Sequence, residues 1–313
     1  MVVRELWRYP VKSMGGHRIA AVDIDERGVH ADRLWAVRDL KIGAVTTARR
    51  LPVLMQCSAR FATEPPPQAG PGHAIEVIVT FPDGEEMSSA DRAVDAKLTQ
   101  LVGRQVELFP LPSKTDKRGY RGPLLGQADI RRQFDIPDDE PLPDFTMFPV
   151  SKLAQLAVFA TPVGTFADAY PLHILTTGSL DAMRAITPSA DFDVRRFRPN
   201  VVIEGADEFS WCGGTLTGSV TLEPAVPTIR CSMPTRQQGD LPADADIIRT
   251  VKHHSDRCLG VYVNVTRGGR LAEGDDLQLT PPTPPGTAAR VGDRLRRGAI
   301  NAGMKALPRR RAL

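Results

Sequence analysis

Cys231 has a neighbour in the sequence that could give its thiol a chemical role. Cys231 directly follows Arg230, in a short segment that leaves a predicted strand. A neighbouring guanidinium stabilises a thiolate, which is the form that binds metal ions and attacks electrophiles. A free cysteine is more often a small buried apolar side chain, and local spacing alone favours that alternative. Cys231 is the most suggestive of the four cysteines, none of which forms a Cys-x-x-Cys pair or has zinc-like spacing to a histidine.

Basic side chains cluster elsewhere in a pattern that suits an anion. Arg195, Arg196 and Arg198 lie within four residues, just before an apolar strand. Arginine binds phosphate through two parallel hydrogen bonds, so such a cluster could hold a dianionic group. A solvated strand edge that resists aggregation accounts for the same pattern, and composition leaves the two alternatives about even.

Two further positions near the start of the chain could also contact an anion. Lys12 and Ser13 end the first predicted strand and precede a pair of glycines. A glycine-rich turn can present backbone N–H groups to an anion, although many hairpins share this pattern. Arg33 and Arg49 lie in similar short polar segments, and each is ordinary when taken alone.

The histidines indicate structure rather than catalysis. His253 and His254 are adjacent on a predicted helix, so their side chains point ~100° apart and are predicted to lie at the surface. His173 lies within an apolar run, where a hydrogen-bonded core histidine is more common than a metal ligand.

The elements that must position these residues are mainly short strands. The chain has 313 residues, of which 42% are hydrophobic and 25% are charged, so it can build a globular fold with one or two cores. Its 27 prolines and 26 glycines favour short strands and turns over long helices. We therefore predict a mainly β fold with some helix.

The pattern changes along the chain in four stages. Residues 1–111 contain many short strands with turn signals and a helix near 91–103, which predicts a barrel or a strongly bent sheet. Residues 112–170 are rich in proline, aspartate and glycine and predict a connecting excursion with short helices. Residues 171–282 begin with a strand and a helix and continue as strands. Residues 283–313 carry eight basic residues against one acidic residue, which predicts a flexible, solvated tail.

Composition also limits the expected location and partners. The first residues lack the apolar stretch of a signal peptide, and no window approaches the ~20 apolar residues that span a bilayer. Unpaired cysteines suit the reducing cytoplasm, where we expect the protein to reside. The basic tail could contact nucleic acid or an anionic membrane surface, but a solvated tail is favoured, so neither is a predicted partner.

Taken in order, the motifs around these residues resemble those of the MOSC family, named for the C-terminal domain of molybdenum-cofactor sulfurases. The motifs are LWRYPVKS, DRLWAV, TTAR, PLHILTTGSL, RFRPNVVIEG, IRCSMPT and LGVYVNV. They are most similar to those of the amidoxime-reducing-component-like and YcbX-like proteins, from about residue 3 to about residue 280. The resemblance implies a two-lobed molecule, with an N-terminal β-barrel-like domain before a C-terminal MOSC β-barrel domain.

The resemblance also implies a cofactor and the residues that hold it. The molybdenum cofactor is a pterin dithiolene with a phosphate, and a cysteine thiolate completes the binding of its metal. Cys231 matches that cysteine and is thereby implied as metal ligand and catalytic residue. The matching cofactor-binding positions are Lys12, Ser13, Arg33, Thr176, Ser179, Arg198, Asn200, Arg230 and Tyr262. Arginine forks and a helix N-terminus suit a phosphate, and a soft thiolate suits such a metal centre.

The activity that the resemblance implies is the reduction of N-hydroxylated or N-oxide-type small molecules. Some relatives carry an appended ferredoxin-type domain, but no spaced cysteine quartet follows residue 280 here, so a separate reductase would supply the electrons. Two alternatives stay open at this point. Cys231 could carry a persulfide for sulfur transfer, or the protein could carry the cofactor without catalysis.

Overall fold

The computed structural model describes residues 1–122, 126–283 and 287–307 and has many short strands in several sheets. The predicted mainly β fold with some helix is therefore confirmed. The strands of the first third are β1 (Val3–Arg8), β2 (His17–Ile19), β3 (Ala21–Asp25), β4 (Gly28–Val29), β5 (Trp35–Asp39), β6 (Ala44–Val45), β7 (Ser58–Phe61), β8 (Val77–Thr80), β9 (Glu86–Ser88) and β10 (Val106–Pro110).

The later part of the chain adds the remaining strands and most of the helices. Its strands are β11 (Leu172–Thr176), β12 (Val201–Ile203), β13 (Thr215–Thr217), β14 (Thr221–Ile229), β15 (Cys258–Arg267), β16 (Gly269–Ala272) and β17 (Gln278–Thr280). The helices are α1 (Ala93–Val102), α2 (Gln127–Phe134), α3 (Val150–Val158), α4 (Thr177–Ile186), α5 (Asp246–Ser255) and α6 (Thr287–Ala306). The helices predicted around α1, α3, α4 and α5 are thus confirmed.

The largest sheet joins the two ends of the chain. Its strand order is β17-β13-β14-β15-β11-β12-β1-β2, so β1 pairs with β12 although nearly 200 residues separate them. Strands β3 and β4 form a second sheet with β16. The core below these sheets contains fully buried residues from both ends, among them Val3, Leu6, Leu172, Ile174 and Val261. Burial of each such side chain stabilises the fold by ~1.5–3 kcal/mol, and this free energy holds the first strands against the later ones.

A second core lies under the remaining N-terminal strands. Two three-stranded sheets, β10-β5-β6 and β7-β8-β9, pack with α1 around fully buried residues such as Leu54, Val79 and Leu98. These two large cores agree with two lobes, and two smaller clusters contain Leu175 and Phe148. The first four strands pack with the later lobe, however, because their apolar faces are completed by β11–β16. The proposed division of the chain at residues 111 and 170 stays a prediction.

The C-terminal segment differs from its prediction. The sequence predicts a flexible tail over 283–313, whereas the structure has a 20-residue helix, α6. Ile300 is 7% exposed, and Arg296 Nη1 donates to the Phe148 carbonyl at 2.8 Å. Ile300 and Met304 stand one helical turn apart, and the many arginines around them hide this apolar face in the sequence. The rest of the predicted tail lies outside the described residues.

One glycine is required by a close approach between β15 and β11. Gly260 has φ of +77°, and a Cβ there would lie 2.3 Å from His173 Nε2 and 2.6 Å from the Ile174 carbonyl oxygen. Its N–H donates to Glu208 Oε1 at 3.0 Å. We expect Gly260→Ala to lower the free energy of unfolding by about 3 kcal/mol or more, because backbone strain adds to a clash in a packed core. Urea unfolding measures this change.

The matched control is a glycine with a similar backbone and an open environment. Gly274 has φ of +92°, and a Cβ added there would have no other atom within 4 Å. Gly274→Ala is expected to cost only about 1 kcal/mol, which is the strain of the left-handed conformation alone. Equal losses of unfolding free energy in Gly260→Ala and Gly274→Ala would contradict the close approach at Gly260.

Candidate functional site

A cavity of about 660 Å³ is lined by residues from both lobes. The predicted site residues that line it are Lys12, Ser13, Arg33, Arg198, Asn200, Arg230, Cys231 and Tyr262. These residues come from the end of β1, the loop before β5, the turn before β12, the end of β14 and the middle of β15. The fold thus gathers eight of the ten predicted positions around one space, of a size typical for small-molecule sites.

The reactive candidate lies just after β14. Cys231 is half-buried, and the Arg49 guanidinium lies beside its sulfur. Arg230 lies beside the same thiol. The thiolate is the nucleophilic and metal-binding form of cysteine, and these two guanidiniums carry the charge complementary to it.

The other three cysteines have a different environment. Burial raises the pKa of the Cys57 and Cys258 thiols to about 12 and that of Cys212 to about 11. At neutral pH these thiols keep their protons and are poor nucleophiles. Of the cysteines that the structure describes, Cys231 is the one that lines the cavity.

Two arginines share one aromatic ring at the side of the cavity. The Arg33 and Arg198 guanidiniums lie 5.1 Å and 4.3 Å from the centre of the Tyr9 ring. Asp32 contacts Arg33, and Arg198 donates to the Met14 carbonyl. Burial, followed by the charge of Arg33, lowers the pKa of Arg198 to about 10. Arg33 pairs with Asp32, whereas Arg198 has Arg33 as a neighbouring like charge, so an anion at Arg198 would offset this repulsion.

Three of the predicted residues adopt a left-handed backbone. The φ angles are +72° at Ser13, +52° at Arg33 and +54° at Arg198. This conformation costs roughly 1–2 kcal/mol at each non-glycine residue and recurs at binding sites, where the surrounding structure enforces it. The Ser13 hydroxyl meanwhile accepts a hydrogen bond from the Ala48 N–H at 2.9 Å, which ties two of the cavity loops together.

An acidic residue that no sequence motif singles out holds two cations at the cavity. Asp168 Oδ1 accepts from Lys12 Nζ at 2.6 Å, and Oδ2 lies 3.2 Å from Arg49 Nη2. Burial would raise the pKa of Asp168, but Lys12 and Arg49 hold it well below its usual range. Burial lowers the pKa of Lys12 to about 8, although the negative charge of Asp168 acts to raise it. At neutral pH both groups are still charged.

His173 lies between the arginine beside the cysteine and the aromatic side of the cavity. Its Nε2 is 3.3 Å from Arg230 Nη1, and its ring centre is 5.9 Å from that of Tyr262. Burial, followed by Arg230, lowers the pKa of His173 to about 3, so the imidazole is neutral and accepts from the guanidinium. The structure therefore agrees with a buried, hydrogen-bonded histidine and also places it in the cavity lining.

Asn200 lines the cavity and also braces the surrounding loops. Its Nδ2 donates to Asp32 Oδ2 at 3.1 Å, and its Oδ1 accepts from the His173 N–H at 3.3 Å. The amide thereby fixes the carboxylate that pairs with Arg33. Asn200 is 1% exposed, so most of its hydrogen-bonding capacity already serves the protein.

Thr176 and Ser179 do not line the cavity, which differs from their predicted role. Thr176 caps α4, as the sequence indicates, and its hydroxyl accepts from the Ser179 N–H at 3.2 Å. Both hydroxyls donate to Glu208 Oε2, a carboxylate that is 1% exposed. A buried carboxylate needs such donors, and it therefore occupies the helix N-terminus that would otherwise accept a phosphate.

The charges around the cavity do not balance within the protein. Seven cationic residues line it, and five of them are here called the cationic floor: Lys12, Arg33, Arg49, Arg198 and Arg230. Only two carboxylates lie among the partners described above for them, Asp32 and Asp168. Several buried polar atoms of the lining also have no partner among the described residues: Arg49 Nε, Arg198 Nη2, Arg230 Nε, Thr46 Oγ1 and Thr228 Oγ1. Buried donors of this kind fit an anionic ligand with many acceptor oxygens.

Arg49 and Asp168 are site residues that the sequence does not predict as such. Arg49 belongs to the TTAR motif, which is one of the motifs that resemble the family. Its position beside Cys231, however, depends on two loops about 180 residues apart. Asp168 lies in the segment that the sequence indicates only as a connection. Its role follows from its ion pairs, and no local pattern shows these.

A prediction follows for the reactivity of the thiol. We expect Arg49→Gln to slow the alkylation of Cys231 by iodoacetamide about 10-fold at neutral pH, because one of two cations beside the sulfur is removed. Peptide mass spectrometry over time measures the rate. The control is Arg60→Gln, which removes an exposed guanidinium paired with Glu86 and should leave the rate unchanged. An unaltered rate in Arg49→Gln would contradict the contact with Cys231.

None of the helices in the described part of the chain combines the length and the apolar character needed to cross a membrane. Among solved structures, the YUAD protein from Bacillus subtilis is 11% identical over 90% of this chain and 98% of its own, with a TM-score of 0.43. YiiM from Geobacillus stearothermophilus is 17% identical over 44% of this chain and 71% of its own, with a TM-score of 0.30. A third structure, described as a hypothetical protein, is 17% identical over 35% of this chain and 51% of its own, with a TM-score of 0.29.

No protein with a curated description matches the chain. Two family descriptions do, and they cover most of its length: the MOSC N-terminal beta barrel domain matches residues 1–108, and the MOSC domain matches residues 162–278. The matched regions contain every residue of the cationic floor and Cys231. The chain therefore belongs to the MOSC-domain family, with a MOSC N-terminal beta barrel domain preceding its MOSC domain.

Proposed function

We propose that this protein is a cytoplasmic oxidoreductase that binds a molybdenum cofactor and reduces N-hydroxylated or N-oxide-type small molecules. The observation that supports this proposal is the cationic floor, whose unpartnered donors line the same cavity as the thiol of Cys231. A phosphate-bearing pterin would offset the excess positive charge, and a thiolate is a ligand that a soft metal centre accepts. MOSC-family membership supports the same assignment.

The lining residues divide naturally between the two ends of such a cofactor. Arg33 and Arg198 share the Tyr9 ring and would hold the phosphate, for which Arg198 offers an unpartnered Nη2. Cys231 would bind the metal, with Arg49 and Arg230 beside its sulfur. Thr176 and Ser179 are not included, because Glu208 already uses their hydroxyls.

When bound, the cofactor would supply two-electron oxygen-atom transfer, a chemistry that side chains lack. The protein's own groups would orient the substrate and supply charge around it. Burial, followed by the charge of Asp168, raises the pKa of Tyr262, so its phenol keeps its proton and can donate to a substrate oxygen. Lys12 remains an ammonium at neutral pH and keeps the site positive while an oxygen atom leaves the substrate.

Electrons must return to the site after each turnover. The described part of the chain contains free cysteines but no disulfide that could act as a second redox group. We therefore propose a separate reductase as the electron donor. A chemically reduced viologen can replace that partner in an assay.

The proposal is tested with protein expressed in a host that makes the cofactor. Metal analysis should find molybdenum in stoichiometric amount, and oxidation should release the fluorescent pterin. With reduced viologen, the protein should convert benzamidoxime to benzamidine. Absence of molybdenum and pterin would overturn the proposal. Bound cofactor without turnover would favour a carrier, and a gain of one sulfur at Cys231 after treatment with a cysteine desulfurase would favour sulfur transfer.

A further inference from the structure

The cavity has a second half that the cofactor-binding residues do not explain. Besides the cationic floor, the lining contains many apolar side chains. This surface, here called the apolar wall, is formed by Phe134, Phe145, Phe148, Leu153, Leu156 and Met304. Charged cofactor groups gain nothing from such a surface, whereas an apolar substituent gains free energy by leaving water there.

The apolar wall is built from segments outside the strands of the two lobes. Leu153 and Leu156 are half-buried on α3, a helix that has no buried residue. Met304 lies on α6, whose Ile300 is buried beside it. Leu153 and Leu156 pack against the buried cluster that contains Phe148 and also line the cavity, and a packed apolar surface that faces a cavity is typical of ligand pockets.

Polar contacts hold α6 over the cavity. Arg296 Nη1 donates to the Phe148 carbonyl at 2.8 Å, and Arg297 Nη1 donates to Thr146 Oγ1 at 3.3 Å. At the other end, Gln127 Nε2 donates to the carbonyls of Lys305 and Leu307 at 3.2 Å each. The helix α6 is thereby anchored to α2 and to the segment that contains Thr146 and Phe148.

An aromatic surface connects the wall with the thiol. Tyr262, which lies beside Cys231, stacks on Tyr170 with ring centres 5.4 Å apart. Phe148 lies 6.2 Å from Tyr170 and 6.5 Å from Tyr262. A flat apolar group placed on these rings would have its attached polar atoms directed towards the cysteine end of the cavity.

We propose that the apolar wall is the substrate-binding half of the site, and that it selects uncharged N-hydroxylated compounds with an aromatic body. This inference rests on the proposed function, which supplies the reacting N-hydroxyl group. The aromatic body of the substrate is inferred from the apolar wall. The cationic floor excludes positively charged substrates by repulsion. The tail helix α6 is accordingly part of the substrate site.

The test compares two substrates that share a reacting group. Benzamidoxime carries a phenyl ring where acetamidoxime carries a methyl group. On the cofactor-loaded protein, the KM for benzamidoxime should be at least about 10-fold lower, because the ring is buried against the wall. Met304→Asn and Leu156→Asn should each raise that KM about 10-fold, leave kcat unchanged and leave the KM for acetamidoxime within about twofold.

Matched controls place the same asparagine on the outer faces of the two helices. Ala302 on α6 and Ser151 on α3 are exposed and do not line the cavity. Ala302→Asn and Ser151→Asn should change neither KM. Equal KM values for the two substrates, or equal effects of Met304→Asn on both, would overturn the inference.

A binding measurement separates this inference from the proposed function. Anilinonaphthalene sulfonate is an anionic aromatic probe whose fluorescence rises in apolar surroundings. Cofactor-free protein should bind it saturably, and Met304→Asn and Leu156→Asn should weaken binding about 10-fold. If the loaded protein reduces neither amidoxime, the proposed function is wrong. The binding of the probe would still show whether the apolar wall is a ligand site. Binding that both variants leave unchanged would overturn the wall as a ligand site.

Discussion

Cys231→Ser is expected to release molybdenum from the protein and to abolish N-reductive activity. Serine nearly preserves the volume of the side chain but replaces a soft thiolate by a hard hydroxyl that keeps its proton. Loss of outer partners of metal ligands already costs about 10–100-fold in metal affinity, so loss of the ligand itself should cost at least about 100-fold. Activity should fall by at least the same factor. Metal analysis and benzamidoxime turnover measure the two effects.

The control replaces another half-buried thiol. Cys212 does not line the cavity, and burial raises its pKa to about 11. Cys212→Ser should retain both molybdenum and turnover. If Cys231→Ser also retained both, the assignment of Cys231 as metal ligand would be wrong. Retention of pterin with loss of metal in Cys231→Ser would agree with separate binding of the phosphate by the arginines.

Arg198→Met is expected to change ligand binding and stability in opposite directions. Arg198 is a half-buried cation with an unpartnered Nη2, and Arg33 repels it beside the Tyr9 ring. Removal of the charge should weaken binding of a phosphate-bearing ligand about 100-fold, since a charge-assisted hydrogen bond contributes ~1.5–3 kcal/mol. The ligand-free protein should gain about 1 kcal/mol of unfolding free energy, because a poorly compensated buried charge is lost.

Inorganic phosphate serves as the probe for this prediction. Its binding is measured by the rise in the melting temperature of cofactor-free protein, and stability is measured by urea unfolding. The control is Arg195→Met, three residues earlier, where the guanidinium is half-exposed and pairs with Asp193 and Asp240. A surface ion pair contributes little, so both properties should change little. Phosphate stabilisation that survives in Arg198→Met would contradict an anion site at this arginine.

If Arg198 strengthens ligand binding but lowers the stability of the ligand-free protein, the strained backbone of the site has the same explanation. Arg33 and Arg198 both have positive φ angles, and both side chains crowd one ring. An arrangement that lowers the stability of the ligand-free protein persists where it positions charge for a ligand. The same reasoning applies to Lys12, whose burial lowers its pKa to about 8.

Much of the fold could be predicted from local patterns. The helix at α1 and the strand-to-helix turn with Thr176 as cap follow from apolar spacing and from capping chemistry. The pairing of β1 with β12 has no local signal, because it depends on apolar faces that meet only after folding. The helix α6 was also missed, since its composition resembles that of a solvated tail.

For the candidate site, the sequence determined which residue types are available. Its ordered motifs were sufficient to select Cys231 and seven other residues of the cavity lining, because each motif contains a group with distinct chemistry. Only the tertiary structure decided which of those groups meet. It assigned Thr176 and Ser179 to Glu208, placed Arg49 at the thiol, and added an apolar wall. The physical reason is that charge pairing and burial act through space, between residues that the chain order keeps far apart.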